Sequence, residues 1–193
     1  MTAVFDGHND VLTRADHGGI ATGRPDGHLN LPRMREGGVR GGIFAVCVQS
    51  PDPFERRVAR EDDVIEFALS DPASRNLTDG QLDAIGASGG LVGIVFACPF
   101  LRPDFADVPD TPLALIAQHA AYVAERLGAA HVALGSDFDA ATIPDELGDV
   151  AGIPRLLDAL TDVGFSAAEM EAIAWGNWRR VLGEWWESDG GGH

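Results

Sequence analysis

Four residues have side chains and spacing suited to holding a metal ion. They are His8 and Asp10 in the run Asp6-Gly7-His8-Asn9-Asp10, and Asp137 and Asp139 in Gly135-Ser136-Asp137-Phe138-Asp139. In an extended segment side chains alternate, so His8 and Asp10 point the same way and can grip one ion from a single strand end. Asp137 would come from a second strand. An imidazole nitrogen with carboxylate oxygens suits zinc or a related divalent ion such as manganese, with less case for calcium, which prefers all-oxygen shells. Taken alone, each motif has a plainer reading: a His-x-Asp triplet commonly caps backbone N–H groups in a turn, and an aspartate after a strand commonly caps the next turn or helix. Their joint placement at two strand ends favours the metal. Arg75, followed by Asn76, is a further candidate, because a guanidinium can clamp a substrate carboxylate with two parallel hydrogen bonds. Its plain alternative is a surface salt bridge. His17, His28, His119, His131 and His193 read as loop, loop, helix face, strand entry and tail.

The elements that must position these residues are legible in the hydrophobic pattern. A short strand over residues 2–6 leads into the first motif, and residues 14–42, rich in Gly, Pro and Arg, read as a long ordered loop with one helical turn near 31–35. Unbroken apolar runs at 42–49 and 91–97 read as strands buried on both faces, the mark of a parallel sheet. A further strand, 131–134, runs straight into the second motif. Helices are expected at 61–69, from the Thr78/Gln81 capping box through Ile85, at 113–127 behind Thr111-Pro112, at 154–163, and at 167–186 behind a Ser166/Glu169 capping box. The order predicts one α/β domain over residues 1–187 with a mainly parallel sheet, four recognisable strands and a disordered tail from Ser188.

Composition narrows the function classes. The chain has 193 residues, with 30 acidic against 14 basic side chains and a net charge of −16. Every basic residue is arginine, so Schiff bases, pyridoxal-phosphate anchors and P-loops built on lysine are excluded. The negative charge disfavours nucleic acid and anionic membranes as partners. No apolar stretch approaches the roughly 20 residues of a membrane span, and the N-terminus shows no signal sequence, so a cytoplasmic location is expected. Cys47 and Cys98 lie in apolar runs and read as small buried hydrophobes, while Trp175, Trp178, Trp185 and Trp186 are spaced for packing.

The order of motifs resembles the membrane dipeptidase (renal dipeptidase) family, peptidase family M19. The resemblance is carried by Asp6-Gly7-His8-Asn9-Asp10, Gly37-Gly38-Val39 with Gly41-Gly42-Ile43-Phe44, Arg75-Asn76-Leu77-Thr78-Asp79, Gly135-Ser136-Asp137-Phe138-Asp139 and Gly176-Asn177-Trp178-Arg179-Arg180-Val181-Leu182. It implies a (β/α)8 TIM barrel whose two-zinc site hydrolyses dipeptides, often with a D-residue at the C-terminal position. By position, His8, Asp10 and Asp137 match ligands of one zinc, Asp137 also assists proton transfer, and Arg75 binds substrate. Asp139 matches a motif position without an assigned role. The family's bridging glutamate and the two histidines of its second zinc have no matching segment, and Ala73 stands where the family commonly has histidine. A full barrel takes about 250 residues, so the fold expected is a TIM-derived parallel sheet truncated to about four strands, holding one zinc or none. Such a sheet exposes its edges, which homodimerisation would cover. Two functions stand side by side: a zinc dipeptidase, or a catalytically impaired relative that acts as a binding or scaffold protein or has no function.

Overall fold

The computed structural model describes residues 2–45 and 76–188. The expected strand residues 46–49, Cys47, the helix over 61–69, Arg75 and the tail beyond Ser188 lie outside them. Among the described residues, parallel strands β1 (Val4–Asn9) and β2 (Val39–Phe44) pair from Val4 opposite Val39 to Asn9 opposite Phe44. Strands β3 (Val92–Ile94) and β4 (Val132–Leu134) pair in the same sense, with Ile94 opposite Leu134. A parallel bridge between Asn9 and Phe138 joins the two pairs, so the described strands run β2-β1-β4-β3. Strand β1 continues three residues beyond the expected end because it finds partners there: Ala45 N–H donates to Asn9 O at 2.8 Å and Asp10 N–H to Phe138 O at 2.9 Å.

Burial follows position in this arc. Strand β4 is buried throughout, as a strand covered on both faces should be. The expectation of two buried faces fails for β2, where Ile43 is 40% exposed. That strand stands at the end of the order of described strands. The loop expected over 14–42 also narrows. Helix α1 (Leu31–Glu36) starts at Asn30, whose side chain accepts from Arg33 N–H at 3.0 Å, and β2 begins at Val39.

Helices cover the strands by apolar stripes. Helix α2 (Asp79–Ala87) opens on the Thr78/Gln81 capping box, and the single turn α3 (Cys98–Leu101) carries a buried free thiol that is hydrogen-bonded to Thr111. Helix α4 (Ala114–Leu127) buries Ile116, Ala117, Ala120 and Val123, all on one face, and its leading Leu113 N–H is capped by Glu146 Oε2 at 2.8 Å. Helix α5 (Ile153–Asp162) packs beside it through Ile153, Leu156 and Leu160. With Phe96, Phe138, Leu134 and Leu147 these side chains form one continuous core. No described helix is long and apolar enough to cross a membrane.

The helix expected over 167–186 is interrupted. Helix α6 (Ala167–Glu171), opened by the Ser166/Glu169 capping box, passes through a π-helical turn, Ala172–Gly176, into α7 (Asn177–Ser188). The wider turn sits where the helix meets β4, and two side chains just past it grip that strand. Asn177 Nδ2 donates to Ala129 O at 2.8 Å and Val132 O at 2.7 Å, while Trp178 Nε1 donates to Leu134 O at 3.0 Å. Arg180 adds a bond to Ala130 O at 3.0 Å. The Gly176–Leu182 motif is thus a clamp on the strand that carries Asp137. Trp175 and Trp178 pack on Phe5, whereas Trp185 and Trp186 are 68% and 73% exposed and take no part in the core. Replacing Asn177 with Ala removes the side-chain donor to Val132 O and to Ala129 O, the latter keeping its bond from Val132 N–H, and should lower unfolding free energy by about 1–2 kcal/mol, read from the urea midpoint.

Candidate metal centre

The strand ends of β1 and β4 are locked in register by their backbones. Asp137 N–H donates to His8 O at 3.0 Å, and Asp10 N–H to Phe138 O at 2.9 Å. One strand-end segment therefore faces the other at a fixed offset, with His8 and Asp10 on a common face. Asp137 follows β4 in the left-handed region, φ +62°, which short polar residues tolerate and most others avoid.

Beneath the candidate ligand residues lies Asp6. This buried carboxylate accepts from Ser136 N–H at 2.9 Å, Ser136 Oγ at 2.8 Å, Asn9 Nδ2 at 3.1 Å and His8 N–H at 3.3 Å. Burial pushes its pKa upward, against the pull of those hydrogen bonds. Gly7, next along, is required by space: a Cβ there would stand 2.2 Å from the Trp178 ring and 2.7 Å from Leu134 O.

The result is a three-donor cluster. His8 Nε2 lies 3.1 Å from Asp10 Oδ2 and 3.3 Å from Asp137 Oδ1, and one ligand atom from each residue falls within 4.8 Å of the others. The three side chains sit at the surface of the strand ends, with His8 about half exposed and both carboxylates mostly covered. One imidazole and two carboxylates converging on one point, open to solvent, are the donor chemistry of a divalent transition-metal or zinc site with a position left for a ligand. The residues present fit such an ion.

Asp139 does not join them. Although it is a candidate ligand by sequence, its side chain is fully buried in an ion pair with Arg24 Nη2 and accepts His28 N–H at 2.6 Å. Phe138 separates the two aspartates of the motif in opposite surroundings, one toward the cluster and one into the protein. The reason is the available partner: Arg24, itself buried, offers the compensation that makes a wholly buried carboxylate tolerable at that spot. The other described histidines also lie apart from the cluster. His17 Nδ1 contacts Arg14 O at 2.7 Å, His119 on α4 contacts Leu101 O at 3.3 Å, and His131 contacts Gly90 O at 2.8 Å at the opposite end of β4. Sequence reasoning left Asp6, Ser136, Arg24 and His28 without roles. The first two stand inside the recognised motifs, whereas nothing in the Gly-rich loop marks Arg24 or His28.

The family model for membrane dipeptidase (peptidase family M19) matches residues 67–188. The chain belongs to this family. The matched span contains Asp137 and the Asn177–Trp178 clamp, while His8 and Asp10 lie ahead of it. A Klebsiella pneumoniae protein of the pqqA 5′ region is 51% identical over 116 residues, 60% of this chain and 43% of that protein. Dipeptidase aclJ of Aspergillus oryzae is 37% identical over 117 residues, 58% of this chain and 26% of the fungal protein. The chain thus spans less than half the length of these curated relatives. Among solved structures, the M19 metallopeptidase dipeptidase AC aligns with a TM-score of 0.79 at 23% identity, covering 94% of this chain and 98% of that one. A Rhodobacter sphaeroides metallopeptidase bound to a phosphinate mimic of L-Ala-D-Ala aligns at 0.77 and 22% identity, with the same coverages. These likenesses establish a mixed α/β fold with parallel strands, TIM-barrel-like as in the family.

The register that brings the ligands together depends on Ser136, whose Oγ touches Asp6, His8 O and Phe138 N–H. Ser136→Ala removes that hydroxyl and leaves buried groups short of partners, and it should cost about 1–3 kcal/mol in chemical denaturation.

Proposed function

We propose that this chain is a zinc-dependent dipeptidase of a truncated TIM-barrel form, residues 1–187, built on a single metal centre at His8, Asp10 and Asp137. The observation that carries the reading is the convergence of His8 Nε2, Asp10 Oδ2 and Asp137 Oδ1 at two parallel strand ends. A zinc ion bound there would supply Lewis acidity toward a peptide carbonyl and a lowered pKa for water. The chain's own residues do the rest. Asp137 takes a proton at its carboxylate from the attacking water and delivers it to the amine that leaves, a role supported by its carboxylate oxygen lying among the cluster's donor atoms. Asp6, through Ser136 and the His8 N–H, keeps the strand ends from drifting. Arg75 would pair with the free carboxylate of the dipeptide, the role its motif has in the family. Dipeptides with a C-terminal D-residue fall within the proposed range, in keeping with the ligand of the R. sphaeroides enzyme. Cytoplasmic location and a homodimer that covers the sheet edges belong to the same proposal.

One observation favours a second reading, a metal-binding relative without turnover. Of the described histidines only His8 reaches the cluster, so none supplies the pair that the family places on its second zinc. Elemental mass spectrometry on zinc-equilibrated protein, run with a native mass measurement, separates the two readings when paired with a dipeptide assay. The dipeptidase reading expects one zinc per chain and zinc-stimulated hydrolysis, with both lost in His8→Ala and hydrolysis lost in Asp137→Asn. One zinc without turnover in folded protein leaves the binding reading, and no zinc removes both.

A further inference from the structure

Asp139 and Arg24, whose side chains are buried, and the partly covered His28 supply no donor atom to the cluster, yet they are tied together more closely than a surface loop requires. Asp139 and His28 hold each other by two reciprocal backbone-to-side-chain bonds. His28 N–H donates to Asp139 Oδ1 at 2.6 Å, and Asp139 N–H donates to His28 Nδ1 at 3.0 Å. Because Nδ1 accepts, the ring is neutral with its proton on Nε2, and burial lowers the His28 pKa in the same direction. Arg24 closes the group, pairing with Asp139 and donating to Leu29 O at 3.0 Å and Asp16 at 3.0 Å. Gly27 sits at φ +84°, where any other residue would be strained, and a Cβ there would lie 2.7 Å from Asp139 Oδ1 and 2.9 Å from Arg24 Nη2, displacing one or the other. Arg33 ties the same loop down through Gly27 O at 2.7 Å and Asp149 at 2.7 Å.

This group holds the turn that carries Asp137. Two non-glycine residues of that turn, Asp137 at φ +62° and Asp139 at φ +73°, occupy the left-handed region, a conformation that persists only where the surroundings enforce it. Upstream, Asp137 N–H is anchored to His8 O; downstream, the anchor is the Asp139–His28 pair, with the His28 ring also set against Phe138 at 5.7 Å between centroids. We infer that His28, acting through the Asp139 backbone, is a positioning residue that fixes the Asp137 carboxylate for the metal. The inference rests on the metal-centre reading. It makes residues 14–30, which supply no ligand to the cluster, part of what sets its affinity.

Cobalt(II), which reports its coordination through visible absorption bands, is the probe. It is titrated into the wild-type chain and into His28→Leu, His28→Asn and Asp137→Asn, with thermal melts on each. Asparagine can place its Oδ1 where Nδ1 stands and so keep an acceptor for the Asp139 N–H, whereas leucine cannot. His28→Leu should bind cobalt about 10-fold or more weakly with altered bands, since outer-shell losses typically cost that much. His28→Asn should return affinity and bands toward wild type, which a role in bulk stability alone would not predict. His28→Ala replaces the leucine variant should the latter fail to fold. Wild-type affinity and bands in His28→Leu, or equal weakening in the leucine and asparagine variants, overturns the positioning role while Asp137→Asn still reports the metal centre. No cobalt binding by the wild-type chain overturns the metal centre and this inference with it.

Discussion

The structure turns on one buried carboxylate. Asp6 joins β1 to the end of β4 through both the backbone and the hydroxyl of Ser136, and binds the His8 N–H and Asn9 side chain at the same time. A charge in that position costs several kcal/mol of hydration, which the four donors offset only in part, so burial still pushes the Asp6 pKa upward. Since the two strands are joined otherwise by backbone bonds near their ends, this carboxylate sets the offset between them. The offset decides that His8 and Asp10 look onto Asp137 rather than one residue past it, because a slip by one residue would send the facing side chains to the other surface.

Packing enforces the same register from outside. Gly7 admits the Trp178 ring against the strand, and Trp178 and Asn177 bind the carbonyls of β4 from the far side. Any residue with a side chain at position 7 would drive the helix off the strand pair. The motifs at the two ends of the chain, which read separately as a turn and a helix, are the two halves of one contact. Helices α4 and α5 complete it by burying the core that holds β3 and β4 together.

Around the cluster the charges are sorted by partner. Asp10 and Asp137 are turned toward His8 at the surface, while Asp139, two residues beyond Asp137, is buried on Arg24. Identical side chains in one short motif thus serve different ends, because a carboxylate goes inside only where a guanidinium or backbone donors already wait for it.

Much of this was determined by local sequence. The alternation of His8 and Asp10, the capping boxes at Thr78 and Ser166 and the glycine that ends α4 each depend on near neighbours, and the structure has them where the pattern puts them, whereas the strands are displaced from their apolar runs, β1 running on to Asn9 and β2 starting at Val39. The three residues of the cluster were legible for the same reason, since each stands at a strand's end. Tertiary structure alone decided the rest. That Asp139 turns inward depends on Arg24, 115 residues away. That the last helix widens into a π turn accompanies its grip on β4. Hydrophobic periodicity records which face of an element is buried, but not which distant group will meet it. The buried ion pair and the strand clamp are contacts between remote residues, and only the folded chain brings them together.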